Sequence, residues 1–232
     1  MLFNHALFKA GLTLVGSHAY GALLNELGVA APAYRTQDLD LARAQPLAIA
    51  MAPGSEFTAL LAESGLQFVP VPGIPPSKPS ASFKLPGAEQ LMVDLLVPGR
   101  ELGKVVQLRE LGAYAQAIPL LEFLIAEPID AVVLSPNHVV PVRLPSPERF
   151  ALHKLYSSES RRSGAGKVAK DREQAAVLAA AVEQEMPGRL RAAWNEFPRG
   201  GRSAAARAAR VAAKLLSHSH PEGEAALRAV AG

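Results

Sequence analysis

Three aspartates stand where acidic residues are costly, which makes them candidates for chemistry. Asp38 and Asp40 lie two apart in residues 36–42, which alternate polar and apolar side chains as a half-buried strand does. Side chains at that spacing leave a strand on the same face, about 7 Å apart. Two neighbouring carboxylates repel each other unless a cation lies between them. Magnesium is such a cation, because it prefers oxygen ligands and is often held by one or two carboxylates plus substrate phosphates.

Asp94 interrupts an otherwise apolar run over residues 91–97. A carboxylate in a buried strand is costly unless it faces a metal ion or a cationic partner such as a buried arginine. If this strand lies beside that of Asp38 and Asp40, three carboxylates meet at one point. Taken alone, the first pair also fits a solvated strand edge, and Asp94 also fits a buried ion pair. The combination favours a site for Mg²⁺ or Mn²⁺.

A glycine–serine turn supplies the second part of a candidate site. Residues 12–15 form a short apolar run, Gly16 and Ser17 break it, and apolar residues from Ala19 to Leu27 recur at helical spacing. Glycine lets the backbone approach a ligand closely. A helix that begins at this turn directs free N–H groups and its positive dipole end toward a bound anion. The turn is therefore predicted to hold a phosphate, with Ser17 as the N-cap of the helix.

The elements that must position these residues divide the chain in two. Before residue 145, strands are predicted at 12–15, 36–42, 47–51, 66–71, 90–97, 131–134 and 139–144, with helices at 2–10, 17–27 and 55–64 and a proline-rich loop at 72–82. After it, helices are predicted from Ser146 and at 167–185, 187–197 and 203–217. The predicted fold class is α+β, a small mixed sheet with flanking helices followed by a C-terminal helical module. The predicted division is a front domain over 1–144, the helical module over 145–217, and a flexible tail over 218–232.

Charge separates the same two halves. Residues 1–142 carry 8 Lys/Arg against 12 Asp/Glu, whereas residues 143–217 carry 15 against 7. The C-terminal helical module includes the basic residues Arg199, Arg202, Arg207, Arg210 and Lys214. This surface could neutralise phosphates of an RNA acceptor, such as the end of a tRNA. A solvated helix surface is an equal alternative, because no interleaved aromatic residues offer base stacking.

The composition excludes several classes of protein. The 232 residues include no cysteine, which rules out a disulfide scaffold, a thiolate nucleophile and a cysteine-based zinc site. No run of about 18 apolar residues predicts a membrane span, so no membrane partner is expected. The first residues lack the ordered parts of a signal peptide. A cytoplasmic location is expected, since the absence of cysteine fits a reducing compartment.

The order of these motifs resembles the polymerase-β-type nucleotidyltransferase superfamily: a strand, Gly-Ser, a helix, Asp-x-Asp on a strand, and a third Asp on a later strand. Residues 14–22, Leu-Val-Gly-Ser-His-Ala-Tyr-Gly-Ala, followed by residues 36–40, are similar to a bacterial branch described only by its nucleotidyltransferase fold. Residues 147–155 and 170–172 also resemble this branch and the abortive-infection nucleotidyltransferase toxins of toxin–antitoxin systems. The resemblance covers roughly residues 12–185.

The resemblance implies a role for each matched position in the front domain, which would be nucleotidyltransferase-like. Gly16 and Ser17 would contact the β- and γ-phosphates of a nucleoside triphosphate. Asp38, Asp40 and Asp94 would be catalytic residues and ligands of Mg²⁺ or Mn²⁺. Asp94 would also help to deprotonate the hydroxyl of the acceptor.

In the helical module, the resemblance implies that Lys154 and Lys170 neutralise the triphosphate and that Asp171 orients the lysine. The implied activity is metal-dependent transfer of a nucleoside monophosphate to a hydroxyl of RNA, a protein or a small molecule. The alternative is a catalytically weak nucleotide- or RNA-binding module that acts with a partner protein. A transcriptional or antitoxin-like helical binder is a third interpretation, but it does not explain carboxylates on strands.

Overall fold

The structure is a computed structural model, and it describes residues 2, 6–31, 36–47, 56–73, 75–87, 91–135, 137–160 and 164–232. The chain forms two compact units. The first contains Met1–Ala22 and Pro32–Pro145, and the second contains Leu23–Ala31 and Ser146–Gly232. The first is built on a mixed sheet with helices and the second is helical, so the predicted α+β fold class is confirmed.

The strands found in the described residues belong to the first unit. In chain order they are β1 (Thr13–Val15), β2 (Asp38–Ala42), β3 (Val69–Pro70), β4 (Ser82–Lys84), β5 (Met92–Pro98), β6 (Val105–Leu108), β7 (Ala113–Ile118), β8 (Pro128–Ser135) and β9 (His138–Pro145). The helices of this part of the chain are α1 (Gly16–Glu26), α2 (Phe57–Ala62) and α3 (Leu121–Leu124). The last residues of α1 belong to the second unit.

Strands β1 to β7 form one mixed sheet. Strands β1, β2, β5, β4 and β3 are neighbours in that order, and β7 pairs with both β5 and β6. Strand β5 runs parallel to β2 and β7 but antiparallel to β4, and β1 runs antiparallel to β2. Strands β8 and β9 form a separate antiparallel hairpin. This order places β2 and β5, the two strands that carry the candidate aspartates, side by side in the sheet.

One face of the sheet is apolar because side chains alternate along each strand. Leu41, Val93, Leu95 and Phe83 are buried on this face, and helix α2 covers part of it through Phe57, whose ring centroid lies 5.2 Å from that of Phe83. Burial of apolar surface contributes roughly 25 cal/mol per Å². The apolar face therefore fixes the register of the strands, and the register determines which residues reach the other face.

The second unit contains five helices in the described residues after position 145. They are α4 (Pro147–Ser160), α5 (Ala165–Glu185), α6 (Arg189–Glu196), α7 (Arg199–Lys214) and α8 (Pro221–Ala231). Small residues line their contacts: a Cβ atom at Gly223 of α8 would lie 2.7 Å from the Cα atom of Ala180 in α5. Helix α8 falls within the stretch for which the sequence predicts a flexible tail, and its Leu227 and Val230 are buried. No helix in the described residues is both long enough and apolar enough to cross a membrane.

Some local predictions from the sequence differ from the structure. Residues 6–11 form turns rather than part of a helix over 2–10, and Ala6 has a φ angle of 54°, which a right-handed helix does not accommodate. The predicted strand at 47–51 lies, apart from Leu47, outside the described residues. Strands β4, β6 and β7 were not predicted. The first two have three and four residues, which is too short for an alternating pattern to stand out.

Candidate active site

The register of β2 and β5 brings three aspartates onto one face of the sheet. Asp40 and Asp94 are direct partners across these parallel strands, so their Cα atoms lie about 4.8 Å apart. Asp38 pairs with Met92 one row away, on the same face because it lies two residues before Asp40. All three aspartates are half-buried, and Oδ1 of Asp94 is shielded from solvent. Leu39 and Leu41 of β2 and the neighbours of Asp94 in β5 alternate with the aspartates and therefore point to the apolar face.

Gly16 lies directly against this acidic face. The last residue of β1, Val15, pairs with Asp40, and Gly16 follows with a φ angle of 69°. A Cβ atom at Gly16 would lie 1.9 Å from Oδ2 of Asp40. Only glycine fits this position, so the backbone of the turn approaches the carboxylate without an intervening side chain.

Helix α1 begins at Gly16, one residue earlier than predicted, so Ser17 lies in the first turn of the helix and is not its N-cap. Ser17 nevertheless belongs to the end of α1 whose backbone N–H groups are free of helical partners. That end of the helix follows the strand β1, which is the neighbour of β2. The first turn of α1 therefore lies next to Asp40 of β2 in the first unit.

Replacing Gly16 with alanine is expected to lower the free energy of unfolding by at least about 1–2 kcal/mol, because a left-handed backbone is unfavourable for residues with a Cβ atom. The overlap with Asp40 adds to this cost. Gly21→Ala is the matched control in the same helix, since a Cβ atom there meets nothing within 4 Å. It should stabilise the protein by up to about 1 kcal/mol through helix propensity. Urea denaturation of both variants checks this, and equal stabilities would contradict the close approach.

The acidic face suits a metal ion that arrives with a substrate. Within the described ranges, no three acidic or histidine side chains are grouped closely enough to form a ready-made metal site. Asp40 and Asp94 are nevertheless adjacent, and Mg²⁺ is usually bound through one or two carboxylates together with substrate phosphates. The donor set therefore fits a metal ion that shares its ligands with a phosphate compound better than a permanently bound structural metal.

Strand β4 adds two polar side chains that sequence reasoning missed. Ser82 pairs with Asp94, and Lys84 pairs with Met92, across the antiparallel strands β4 and β5. Both side chains therefore lie on the acidic face, next to the row of Asp40 and Asp94. The available signal was the polar–apolar–polar order of Ser-Phe-Lys at 82–84, directly after the proline-rich loop.

The remaining predicted site residues belong to the second unit. Nζ of Lys154 in α4 lies 2.8 Å from Oδ1 of Asp171 in α5, and the two side chains are only 11% and 3% exposed. The ammonium group also lies 5.4 Å from the ring centroid of Phe150, within the range of a cation–π interaction. Lys170 precedes Asp171 in α5 and is half-buried. The structure thus brings Lys154 and Asp171 together as a buried ion pair.

Several arginines of the basic helix α7 are engaged within the second unit. Arg202 donates to three carbonyl oxygens at the end of α6, and Arg210 donates to a carbonyl oxygen at the end of α8. Arg207 donates to Glu159 of α4, which also accepts from Arg172. Burial raises the pKa of Glu159, but these two arginines outweigh burial and hold the pKa below its usual value. These contacts connect α7 to its neighbours and reduce the cationic surface that is available to a partner.

The mixed sheet with its acidic face and adjoining Gly-Ser turn defines an α+β protein of the nucleotidyltransferase type. Residues 1–198 match a protein-family model described as "Nucleotidyltransferase", so the chain belongs to this nucleotidyltransferase family. The predicted resemblance is confirmed at that level. Among solved structures, the chain is similar to an antigenic nucleotidyltransferase-like protein from Paracoccidioides brasiliensis. The identity is 18%, the TM-score is 0.41, and the match covers 85% of this chain and 84% of that chain. No curated protein matches the chain.

Proposed function

We propose that this protein transfers a nucleoside monophosphate from a nucleoside triphosphate to a hydroxyl acceptor in a metal-dependent reaction. The observation that carries the proposal is the direct pairing of Asp40 with Asp94, with Asp38 on the same face and the backbone of Gly16 against Asp40. Membership of a nucleotidyltransferase family supports a nucleoside triphosphate as the substrate. Grouping carboxylates in a half-buried position costs free energy. Such a reaction would explain the grouping, because the carboxylates would bind a cation that also binds the phosphates of the substrate.

The proposed roles in the first unit follow from chemistry and position. Asp38, Asp40 and Asp94 hold Mg²⁺ or Mn²⁺, which when bound neutralises phosphate charge and lowers the pKa of the acceptor hydroxyl. Gly16 and Ser17 bind the β- and γ-phosphates through backbone N–H groups at the start of α1. The absence of a side chain at Gly16 allows the phosphates to lie next to Asp40.

In the proposed reaction, the hydroxyl oxygen of the acceptor attacks the α-phosphorus of the triphosphate. A new O–P bond forms while the bond from the α-phosphorus to the leaving pyrophosphate breaks. The hydroxyl proton passes to the carboxylate of Asp94 and from there to solvent. The chain contributes by positioning the reactants and by stabilising charge, without a covalent intermediate.

For the second unit, we propose the roles that the family resemblance implies: Lys154 and Lys170 neutralise the triphosphate, and Asp171 orients Lys154. The contact of 2.8 Å between Lys154 and Asp171 supports the orienting role, because a buried lysine is held in one position by its carboxylate partner. In this proposal, residues 1–144 are the catalytic domain and residues 145–217 are a helical module.

A catalytically weak nucleotide- or RNA-binding module that acts with a partner protein is the alternative. The engagement of Arg202, Arg207 and Arg210 within the second unit weakens the case for RNA as a partner. The cytoplasmic location, the bacterial branch and the likeness to abortive-infection toxins remain predictions from the sequence.

Removal of the metal ion tests the proposal. Binding of labelled nucleoside triphosphates, measured by equilibrium dialysis, should require Mg²⁺ and should weaken at least about tenfold when EDTA is added, since the metal shares its ligands with the phosphates. Incubation of the protein with each labelled triphosphate and a cell extract should then label RNA, protein or a small molecule. Binding that is equal with and without Mg²⁺ would contradict the metal-dependent mechanism. Metal-dependent binding without any labelled product would favour the weak binding module.

A further inference from the structure

The charged residues of the seven-stranded sheet are concentrated at one place. All seven strands lie within the described residues, and their charged residues are Asp38, Asp40, Asp94 and Lys84. The four lie on the same face, on the neighbouring strands β2, β5 and β4. Lys84 is therefore the one cation that the strands of this sheet place beside the three aspartates.

The side chains of Lys84 and Ser82 are available to bind a ligand, because neither has a hydrogen-bond or ion-pair partner among the described residues. Lys84 is half-buried, and its side chain makes no hydrogen bond or ion pair with any described residue. At Ser82 the hydrogen bonds to described residues involve its backbone: its N–H donates to Oγ of Ser80, and its carbonyl oxygen accepts from the same hydroxyl. An ammonium group and a hydroxyl group two residues apart on one strand face can bind an anion by charge-assisted hydrogen bonds.

The order of the strands indicates that this anion belongs to the acceptor and not to the triphosphate. Gly16 and the proposed triphosphate site follow β1, whereas Lys84 lies on β4, three strand spacings or about 14 Å away. Asp40 and Asp94 lie between them on β2 and β5. In an in-line displacement, the attacking and leaving oxygens lie on opposite sides of the phosphorus. With the pyrophosphate at the Gly16 side, the acceptor enters from the Lys84 side.

We propose that Lys84 and Ser82 bind an anionic group of the acceptor, a phosphate or a carboxylate located close to the hydroxyl that reacts. This inference rests on the proposed function, since that function defines the acceptor side of Asp94. The acceptor is thereby restricted to compounds that carry a negative charge near their reacting hydroxyl. Ser82 lies opposite Asp94, so the anionic group and the reacting hydroxyl would be adjacent.

Three small alcohols test this inference: glycerol 3-phosphate, glycerate and glycerol, which differ in their anionic group. Their binding to the protein is measured by ligand-observed NMR with Mg²⁺, in the presence and absence of a non-hydrolysable nucleoside triphosphate. The variants are Lys84→Gln, Lys84→Arg and the control Lys104→Gln, which removes the same charge at an exposed position before β6. The affinity of each variant for the magnesium–triphosphate complex is measured in parallel.

We expect the wild-type protein to bind at least one anionic alcohol about tenfold more tightly than glycerol, as a charge-assisted hydrogen bond requires. Lys84→Gln should remove this preference, Lys84→Arg should retain most of it, and Lys104→Gln should behave like the wild type. Triphosphate binding should be unchanged in all three variants. The ratio between glycerol 3-phosphate and glycerate identifies the anion as a phosphate or a carboxylate.

Equal binding of charged and neutral alcohols by the wild type, or an unchanged preference in Lys84→Gln, would overturn the inference. A parallel loss of triphosphate binding in Lys84→Gln would also overturn it, since Lys84 would then be a ligand of the triphosphate. Failure of the proposed function gives a different result: the wild type would not bind the magnesium–triphosphate complex at all. In that case, anion binding that depends on Lys84 in the absence of triphosphate would still establish the site on β4.

Discussion

Replacing Asp40 with asparagine is expected to lower metal-dependent transfer on the order of a thousandfold, because a catalytic metal supplies several kcal/mol of transition-state stabilisation. Asp94→Asn should have an effect of the same size, since the two carboxylates are direct partners across β2 and β5. The measurement is the initial rate of label transfer from a nucleoside triphosphate at saturating Mg²⁺.

The same variants should keep their fold and become slightly more stable without metal. Like charges directly opposite each other in a sheet are destabilising by about 0.2–1 kcal/mol, and asparagine removes one of the two charges. Asp130→Asn is the control, because it removes an exposed carboxylate from the separate hairpin. It should change neither the rate nor the stability appreciably. Full activity in Asp40→Asn and Asp94→Asn would end the enzyme assignment.

Replacing Asp171 with asparagine is expected to lower the free energy of unfolding by about 3–5 kcal/mol, because it leaves the buried Lys154 without its counter-charge. In a protein of this size, such a loss corresponds to a decrease in Tm of roughly 10 °C. The partners are well placed for a large effect, since their side chains are 11% and 3% exposed. Thermal denaturation followed by circular dichroism measures the change.

Two controls identify burial as the cause of this effect. Glu224→Gln breaks an ion pair with Arg228, whose side chain is 65% exposed, and should cost no more than about 0.5 kcal/mol. The double variant Lys154→Met with Asp171→Leu should recover most of the stability, because an apolar pair of similar volume is often as stable as a buried ion pair. If Asp171→Asn and Glu224→Gln had equal effects, the description of a buried pair would be wrong.

The sequence predicted which face of a strand each aspartate occupies, but it did not predict which strands are adjacent in the sheet. Alternation around Asp38 and Asp40 places them on one face, and the apolar run around Asp94 predicts a buried strand. Neither pattern states that these strands are adjacent, since they are separated by many residues along the chain and run parallel only in the folded sheet. That pairing depends on which strands best bury the apolar face, and local periodicity does not report it.

Contacts between residues that are distant in the sequence could not be predicted either, because local sequence patterns do not report how helices and strands pack. Lys154 and Asp171 were singled out by resemblance and predicted to lie on helices, but their contact depends on how α4 and α5 pack. The contribution of β4 was missed because three residues are too few for a periodic signal, although Lys84 is the cation nearest in the sheet order to Asp94. The approach of Gly16 to Asp40 is likewise a property of the pairing of β1 with β2.

The alternation in β5 has a consequence for insertions and deletions. Val93 and Leu95 lie on the buried side of the strand and Asp94 on the other, so removal of one residue early in β5 would turn the acidic side chain toward the hydrocarbon interior and a leucine or valine toward water. Substitutions leave each side chain of β5 on its own side of the strand, whereas insertion or deletion of one residue moves the following side chains to the opposite side. Natural variants of this protein should therefore differ in length within surface loops such as 75–81 and hardly ever within residues 92–98.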